Sequence, residues 1–154
     1  MPISKISLFL AIFFFSFARQ LTAMEIIEQS IQKKLLRLDK AILATASETR
    51  SSKQSLITAQ QSYRDYLEDE NDQVWCCGII DNSLKKNNYE KCKVFYNELV
   101  RHQIRQEEVY VFFKTNFERG VLHKDIDYLQ NIEINLTNYL NKLPDPTYLK
   151  WSIK

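Results

Sequence analysis

Three cysteines are the residues of this chain with the clearest potential chemistry. Cys76 and Cys77 are adjacent, and Cys92 follows them in the sequence. Thiols can bind a metal, exchange electrons or form a disulfide. A structural zinc site needs four ligands, and His102 and His123 do not have the usual ligand spacing to these thiols. No Cys-x-x-Cys pair is present for redox exchange, so the sequence favours a disulfide.

Other groups that could support catalysis do not form a recognisable set. His102 lies on an apolar helical stripe, where a core or interface role is the commoner one. The paired carboxylates, such as Glu107 and Glu108, have no feature that would place them across a cleft. Only two glycines occur, and neither belongs to a phosphate-binding loop. The sequence therefore predicts no enzymatic activity, no cofactor and no metal.

The residues before and after the first two cysteines predict a loop. Gly78, the run 81–83 (Asp-Asn-Ser) and the run 85–88 (Lys-Lys-Asn-Asn) are typical of turns. An acidic cluster with one tryptophan comes just before them. We expect this loop, within residues 68–93, to protrude and contact a partner through Glu68, Asp69, Glu70, Asp72 and Trp75.

The first 23 residues have the layout of a secretory signal peptide. A short basic start containing Lys5 is followed by an apolar run over 6–17, and small residues offer cleavage after Ala18 or after Ala23. The apolar run is too short to cross a hydrocarbon core of about 30 Å. The sequence predicts removal of 1–23, a periplasmic or secreted location, and a single domain over 24–154 with no membrane association.

Removal of this segment changes the charge of the chain. The 21 basic residues exceed the 19 acidic ones by two, and Lys5 and Arg19 fall within 1–23, which contains no acid. The remainder is formally neutral, whereas a nucleic-acid-binding protein is expected to keep a basic excess. Nucleic acid is therefore excluded as a partner.

An exported protein lies in an oxidising compartment, where a disulfide is the default for cysteines. Adjacent cysteines rarely pair with each other, so we expect Cys92 to pair with Cys76 or with Cys77. The bridge would close a loop of about 15 residues and stabilise the fold by about 3 kcal/mol. The third cysteine would be buried or would link two molecules.

Hydrophobic spacing predicts three helices and no strands. From Ile31 to Tyr66 one stripe of positions advances by alternating steps of four and three, which defines one face of a long helix. The middle of this stripe is small and polar, so the helix either breaks within 47–53 or continues against a partner that fills the gap. No turn residue marks a break, which favours continuation.

A second helix is predicted from about Tyr89 to Arg119, ended by Gly120 in a left-handed conformation. A third begins after Asp125 as N-cap and ends before Pro144. The fold class predicted is all-α: a long antiparallel helical hairpin, stapled by a disulfide, with a third C-terminal helix packed on it.

The run Leu56-Ile57-Thr58-Ala59-Gln60-Gln61-Ser62-Tyr63-Arg64-Asp65-Tyr66 resembles the L-x-x-A-Q-x-x-W-x-x-Y core of the LprI-like bacterial envelope proteins. Tyr63 stands where that family has tryptophan, and Cys92 falls where it has its second cysteine. The resemblance covers about residues 35–105, and its motif residues here are Gln60, Tyr63 and Tyr66. It implies a small exported helical protein, with lysozyme inhibition as the function of the family's namesake.

Two functions follow as expectations. The first is a periplasmic or secreted helical binding protein that inhibits lysozyme in the LprI-like manner. The second is a secreted helical interaction module, associated with virulence, that has another protein partner. The polar stripe and the unpaired cysteine would also suit a homodimer.

Overall fold

The computed structural model describes the backbone of residues 5–69 and 75–143, and the side chains of Arg19, 22–67 and 83–143. These residues form three helices: α1 (Lys5–Asp69), α2 (Trp75–His123) and α3 (Ile126–Lys142). The two described stretches contain no strand. The predicted all-α hairpin with a packed third helix is thus confirmed. No helix in these stretches has a segment long and apolar enough to cross a membrane.

Helix α1 is continuous through the polar middle of its stripe, as the absence of turn residues predicted. The Thr45 hydroxyl donates to the carbonyl of Ala41 at 3.0 Å, and the Thr49 hydroxyl donates to the carbonyl of Thr45 at 2.8 Å. Each hydroxyl finds its acceptor one turn back in the same helix, so a buried threonine needs no other partner. The helix therefore does not break within 47–53.

Helix α2 begins at Trp75, and the prediction of a loop over 68–93 is wrong for most of its length. Residues 75–88 are helical despite their glycine, asparagines and serine, each of which costs up to about 1 kcal/mol relative to alanine. Contacts with α1 offset this cost: Tyr89 stacks on Tyr63, and the Lys85 ammonium lies over the Tyr66 ring. Side-chain contacts between helices thus outweigh weak local propensity.

The early start of α2 also corrects the disulfide prediction. Cys76, Cys77 and Cys92 now lie on one continuous helix. At 1.5 Å per residue, Cys77 and Cys92 are about 22 Å apart along its axis, whereas a disulfide needs Cα atoms within about 7 Å. Cys92 carries a free thiol, and the staple cannot form within α2 as it is built.

The turn from α2 to α3 uses Lys124, not Gly120, as its left-handed residue. Lys124 has φ 52°, and no described glycine has a positive φ. The amide of Asp125 donates to the Gly120 carbonyl at 3.1 Å, and the amide of Lys124 donates to the Val121 carbonyl at 3.2 Å. This pair of bonds is a Schellman motif. The predicted helix end at Gly120 is therefore wrong by one turn.

Gly120 is instead a close-packing position. A Cβ atom there would lie 2.7 Å from Cδ2 of Leu129 and 3.1 Å from Cδ1 of Tyr128. The predicted N-cap is confirmed, because a carboxylate oxygen of Asp125 accepts the Tyr128 amide at 2.9 Å. Glycine at 120 and aspartate at 125 together let α3 fold back closely on α2.

The chain divides into two compact units, each with segments of α1 and α2. Unit 1 holds α1 up to Leu38 together with Tyr110–Lys142, and unit 2 holds Asp39–Val109. Unit 1 contains α3 and most of the buried apolar side chains of the described chain: Ile27, Ile31, Leu35, Leu38, Phe113, Phe117, Leu129, Ile132, Leu136 and Leu140. The described part of unit 2 contains two, Ala59 and Leu99.

An ion pair also joins α1 to α3 within unit 1. The Lys34 ammonium donates to a Glu133 carboxylate oxygen at 2.7 Å, and the Ser30 hydroxyl donates to the same oxygen at 2.5 Å. These two hydrogen bonds lower the pKa of Glu133 below its ordinary value of 4.5. The carboxylate is thereby held in its charged form against two donors of α1.

Candidate functional site

An aromatic and cationic cluster joins the two helices of unit 2. The rings of Tyr63 and Tyr89 stack with centroids 6.2 Å apart and planes 14° from parallel. The Lys85 ammonium lies 4.8 Å from the centre of the Tyr66 ring, and the Lys93 ammonium lies 5.8 Å from that of Tyr89. Tyr63 contacts Tyr89, and the later residue Tyr66 contacts the earlier residue Lys85, so the helices are antiparallel here. Each cation–ring contact is worth about 0.5–1 kcal/mol at an exposed site.

Beside this cluster is an open polar groove of about 380 Å³. The residues that line it come mainly from about two and a half turns of α1: Thr58, Gln61, Ser62, Asp65 and Tyr66, with Lys85 from α2. The Gln61 amide donates to Asp65 at 2.5 Å. With one carboxylate, one ammonium and several neutral donors, the groove suits polar groups of a protein surface better than an enclosed small molecule.

The predicted site residues fall into two sets. Tyr63 and Tyr66 meet α2 through the contacts above, and Gln60 is half-buried next to them on α1. The structure thus brings two of the three motif residues, Tyr63 and Tyr66, to one contact with α2. Sequence reasoning missed Tyr89 and Lys85, because it assigned Lys85 to a loop and used Tyr89 only to mark a helix start.

The predicted partner-binding loop is only partly described. Glu68 and Asp69 are the last residues of α1, and Trp75, Cys76 and Cys77 begin α2. Their side chains, and the whole of Glu70 and Asp72, lie outside the described residues. The helix ends on either side leave at most 70–74 for a connection, which is much shorter than predicted.

Cys92 lies on α2, half-buried in unit 2. Its sulfur is 4.0 Å from the side-chain oxygen of Asn88, one turn earlier on the same helix. No cluster of three metal-ligating side chains occurs in the described part of the chain.

The seam between the helices of unit 2 is polar. Thr45 and Gln106 are fully buried, and Ser52 is nearly so. The Ser52 hydroxyl and the Gln106 carbonyl oxygen have no hydrogen-bond partner among the described residues. A buried polar atom left in this state costs about 1–3 kcal/mol. The seam therefore gives the hairpin little stability of its own.

His102 adjoins this seam. Its Nε2 lies 3.3 Å from the Gln106 amide nitrogen. Burial, and secondly the nearby Arg105 guanidinium, lower the pKa of His102 below 6.5. The neutral ring of this half-buried histidine can accept a hydrogen bond from the Gln106 amide.

Among its described residues, unit 2 exposes more large apolar side chains than it buries. Six are at least 45% exposed: Leu43, Ile57, Leu67, Leu84, Val94 and Ile104. Leu43, Ile57 and Leu67 lie on α1, and the other three lie on α2. Leu43 and Ile57 are two heptads apart and so share one face of α1. Each helix of unit 2 therefore exposes three of these side chains, and those of α1 include a pair on one face.

Fold and site together define an all-α protein with an open polar groove on the hairpin of unit 2. No family model matches the chain. Comparisons with curated proteins and with solved structures likewise find no match.

Proposed function

We propose that this chain is an exported helical protein-binding protein. The observation that carries the proposal is the imbalance of unit 2, which buries Ala59 and Leu99 but exposes six large apolar side chains. Large apolar side chains left exposed beside a small buried core mark a protein interaction site more often than a free surface. A partner seated on unit 2 would supply the apolar packing that its own seam lacks.

Export is supported by the signal-like composition of residues 1–23 and by where the core begins. Arg19, Thr22 and Ala23 are exposed, and the first buried side chain of the described residues is Ile27. Cleavage after Ala23 would leave one helical turn before that core residue. Removal of the segment thus agrees with a domain that starts at Met24.

A lysozyme is the second, more specific candidate partner. The LprI-like motif residues Tyr63 and Tyr66 lie at the aromatic cluster, next to the groove that contains Asp65. The acidic residues 68–72 follow directly in the sequence. An acidic end of the hairpin would attract a cationic enzyme and speed the encounter.

The lysozyme candidate is tested by titrating residues 24–154 against a chicken-type and a goose-type lysozyme. We expect stoichiometric inhibition that Asp65→Lys weakens, because the substitution reverses charge in the groove. Glu118→Lys, an exposed change of the same charge in unit 1, is the matched control. If neither enzyme is inhibited, lysozyme is not the partner.

The broader proposal is tested by site-specific photo-crosslinking in the cells that produce the protein. A crosslinker at the exposed position 57 should give an adduct with one discrete protein, and one at position 118 of unit 1 should not. Adducts that are equally diffuse at both positions would contradict a binding surface on unit 2.

A further inference from the structure

One side of α1 in unit 2 combines exposed apolar residues with cations. We call it the lateral face: Leu43, Ala46, Arg50, Lys53, Ile57, Gln60, Arg64 and Leu67. Positions 43, 50, 57 and 64 are seven apart, and the others lie three residues after them, so all share one side of the helix. Leu43 is 63% exposed, Ile57 49% and Leu67 45%.

The charges of this face have one sign. Arg50, Lys53 and Arg64 are all exposed, and no acid lies on the face between 43 and 67. None of the three makes an ion pair with another described residue. The acids Glu48 and Asp65 of the same stretch are not at positions of this face, so no described carboxylate of α1 between 43 and 67 lies on it.

The spacing of the apolar residues indicates the shape of that partner. Leu43 and Ile57 are 14 residues apart, which is about 21 Å along the helix axis. The positions of the lateral face, both apolar and cationic, repeat every seven residues, and such positions match those of a second helix laid alongside, as in a coiled coil. A loop or a strand would match this repeat poorly.

Two occupants from the protein itself fit poorly. The residues after Pro146 include Lys150 and Lys154, which are basic and would be repelled by the cations of this face. A second copy docked through the same face would oppose Arg50 and Lys53 to identical cations, which is unfavourable.

We infer that the lateral face of α1 binds an acidic amphipathic helix of another protein. The partner's apolar stripe would cover Leu43, Ile57 and Leu67, and its flanking carboxylates would pair with Arg50, Lys53 and Arg64. This inference rests on the proposed function and specifies the partner class for the same unit. It also predicts a partner opposite in charge to a cationic lysozyme.

The test uses the full chain and two designed helical peptides of about 20 residues. Both carry leucines in alternating steps of three and four; one has glutamate and the other lysine at the flanking positions. We expect the acidic peptide to bind and the basic one not to. Affinity should fall as salt is raised to about 0.5 M, since screening weakens exposed charge pairs.

Charge reversal locates the binding. Arg50→Glu with Lys53→Glu should weaken the acidic peptide about tenfold or more and allow the basic one to bind. Lys86→Glu with Lys91→Glu makes the same net change on exposed positions of α2 and is the matched control. Equal weakening by both pairs would show a general charge effect and overturn the inference.

Other outcomes also decide. Binding of neither peptide, or equal binding of both, would overturn the inference. It would also be overturned if the acidic peptide did not bind while anionic vesicles did, and if Arg50→Glu with Lys53→Glu abolished the binding of vesicles. A wild-type dimer that this double substitution dissociates would identify a second copy as the occupant. In all of these cases, a crosslink from position 57 to one discrete protein would still support the proposed function. Absence of that crosslink would contradict the proposed function, whatever the peptides do.

Discussion

Lys124 has a backbone conformation that lysine adopts at a cost. Its φ of 52° puts its Cβ close to the following carbonyl oxygen, which costs about 1–2 kcal/mol and which glycine avoids. We expect Lys124→Gly to stabilise the protein by about 1 kcal/mol after allowance for the greater freedom of glycine in the unfolded chain. Chemical denaturation measures this. Lys124→Ala keeps the Cβ and should give no gain; an equal gain would show that loss of the charge is responsible.

Gly120 is required by packing, not by φ. We expect Gly120→Ala to destabilise the protein by about 1–2 kcal/mol, because the new methyl group would press on Leu129, and a gain of up to about 1 kcal/mol in helix propensity offsets only part of that cost. The free energy of unfolding from urea titration gives the size of the effect.

A double-mutant cycle shows whether Leu129 is the cause. In a Leu129→Ala background the contact is gone, so Gly120→Ala should be neutral or stabilising there. A loss of the same size in both backgrounds would mean that the methyl group meets something other than Leu129.

Glu133 makes the stability of unit 1 depend on pH. Its pKa is lowered by hydrogen bonds from Lys34 and Ser30, so its contribution is fully present above the ordinary pKa of 4.5 and is lost as the pH falls through the folded-state value. Glu133→Gln should therefore be less stable than wild type at pH 7, by about 1 kcal/mol or less for so exposed a pair. The urea midpoints of wild type and Glu133→Gln should therefore converge as the pH is lowered from 7 to about 3.

Glu118→Gln is the control for that experiment, because Glu118 is exposed in the same unit and makes no ion pair with a described residue. It should leave the pH dependence unchanged. If wild type and Glu133→Gln stay parallel at every pH, the hydrogen bonds to Glu133 do not hold its charge in solution.

At the scale of elements, the period of the hydrophobic residues predicted correctly where the helices lie. Turn-forming residues were a poorer guide to where the helices end. The stripe of α1 and the N-cap at Asp125 were both readable from the sequence. The start of α2 was not, because Gly78 and the asparagines at 87 and 88 favour a turn locally, and only contacts such as Tyr63–Tyr89 reverse that preference. Gly120 has the same ambiguity, since glycine serves both left-handed turns and close helix packing.

The candidate site, like the helices, could be predicted only in part from the sequence. Tyr63 and Tyr66 could be selected from a motif on one helix. Their partners Lys85 and Tyr89 depend on the register between two helices, which is set by where the connection lies. The sequence placed that connection about ten residues too late, so the residues that face the motif could not be identified.

The stability of a Cys92 variant distinguishes a continuous helix α2 from a loop that is stapled by a disulfide. With a free thiol on a continuous helix, Cys92→Ser should change the free energy of unfolding by less than about 0.5 kcal/mol, in oxidising and in reducing buffer alike. Thermal or urea unfolding in both buffers measures it. A loss of about 3 kcal/mol confined to the oxidising buffer would mean that the bridge forms and that α2 ends before Cys92.

For the whole molecule, the unequal cores of the two units predict unequal local stability along a single helix. Backbone amides of α1 near Ile31 and Leu35 are held by a core that includes α3, whereas those near Thr49 and Ser52 face a polar seam with unpartnered groups. Local opening should therefore cost less in unit 2. We expect native-state hydrogen exchange to be at least about tenfold faster over 43–65 than over 27–38, which corresponds to about 1.4 kcal/mol.

The same experiment links stability to binding. A helix bound to the lateral face would stabilise the folded form of unit 2. A ligand that binds only the folded form slows hydrogen exchange in the segment that must open for the ligand to dissociate. Adding the acidic peptide should slow exchange over 43–65 and leave 27–38 unchanged, while the basic peptide should slow neither. Uniform protection along α1 before any addition would mean that the polar seam is as stable as the apolar core of unit 1, and the reason for expecting a partner on unit 2 would be lost.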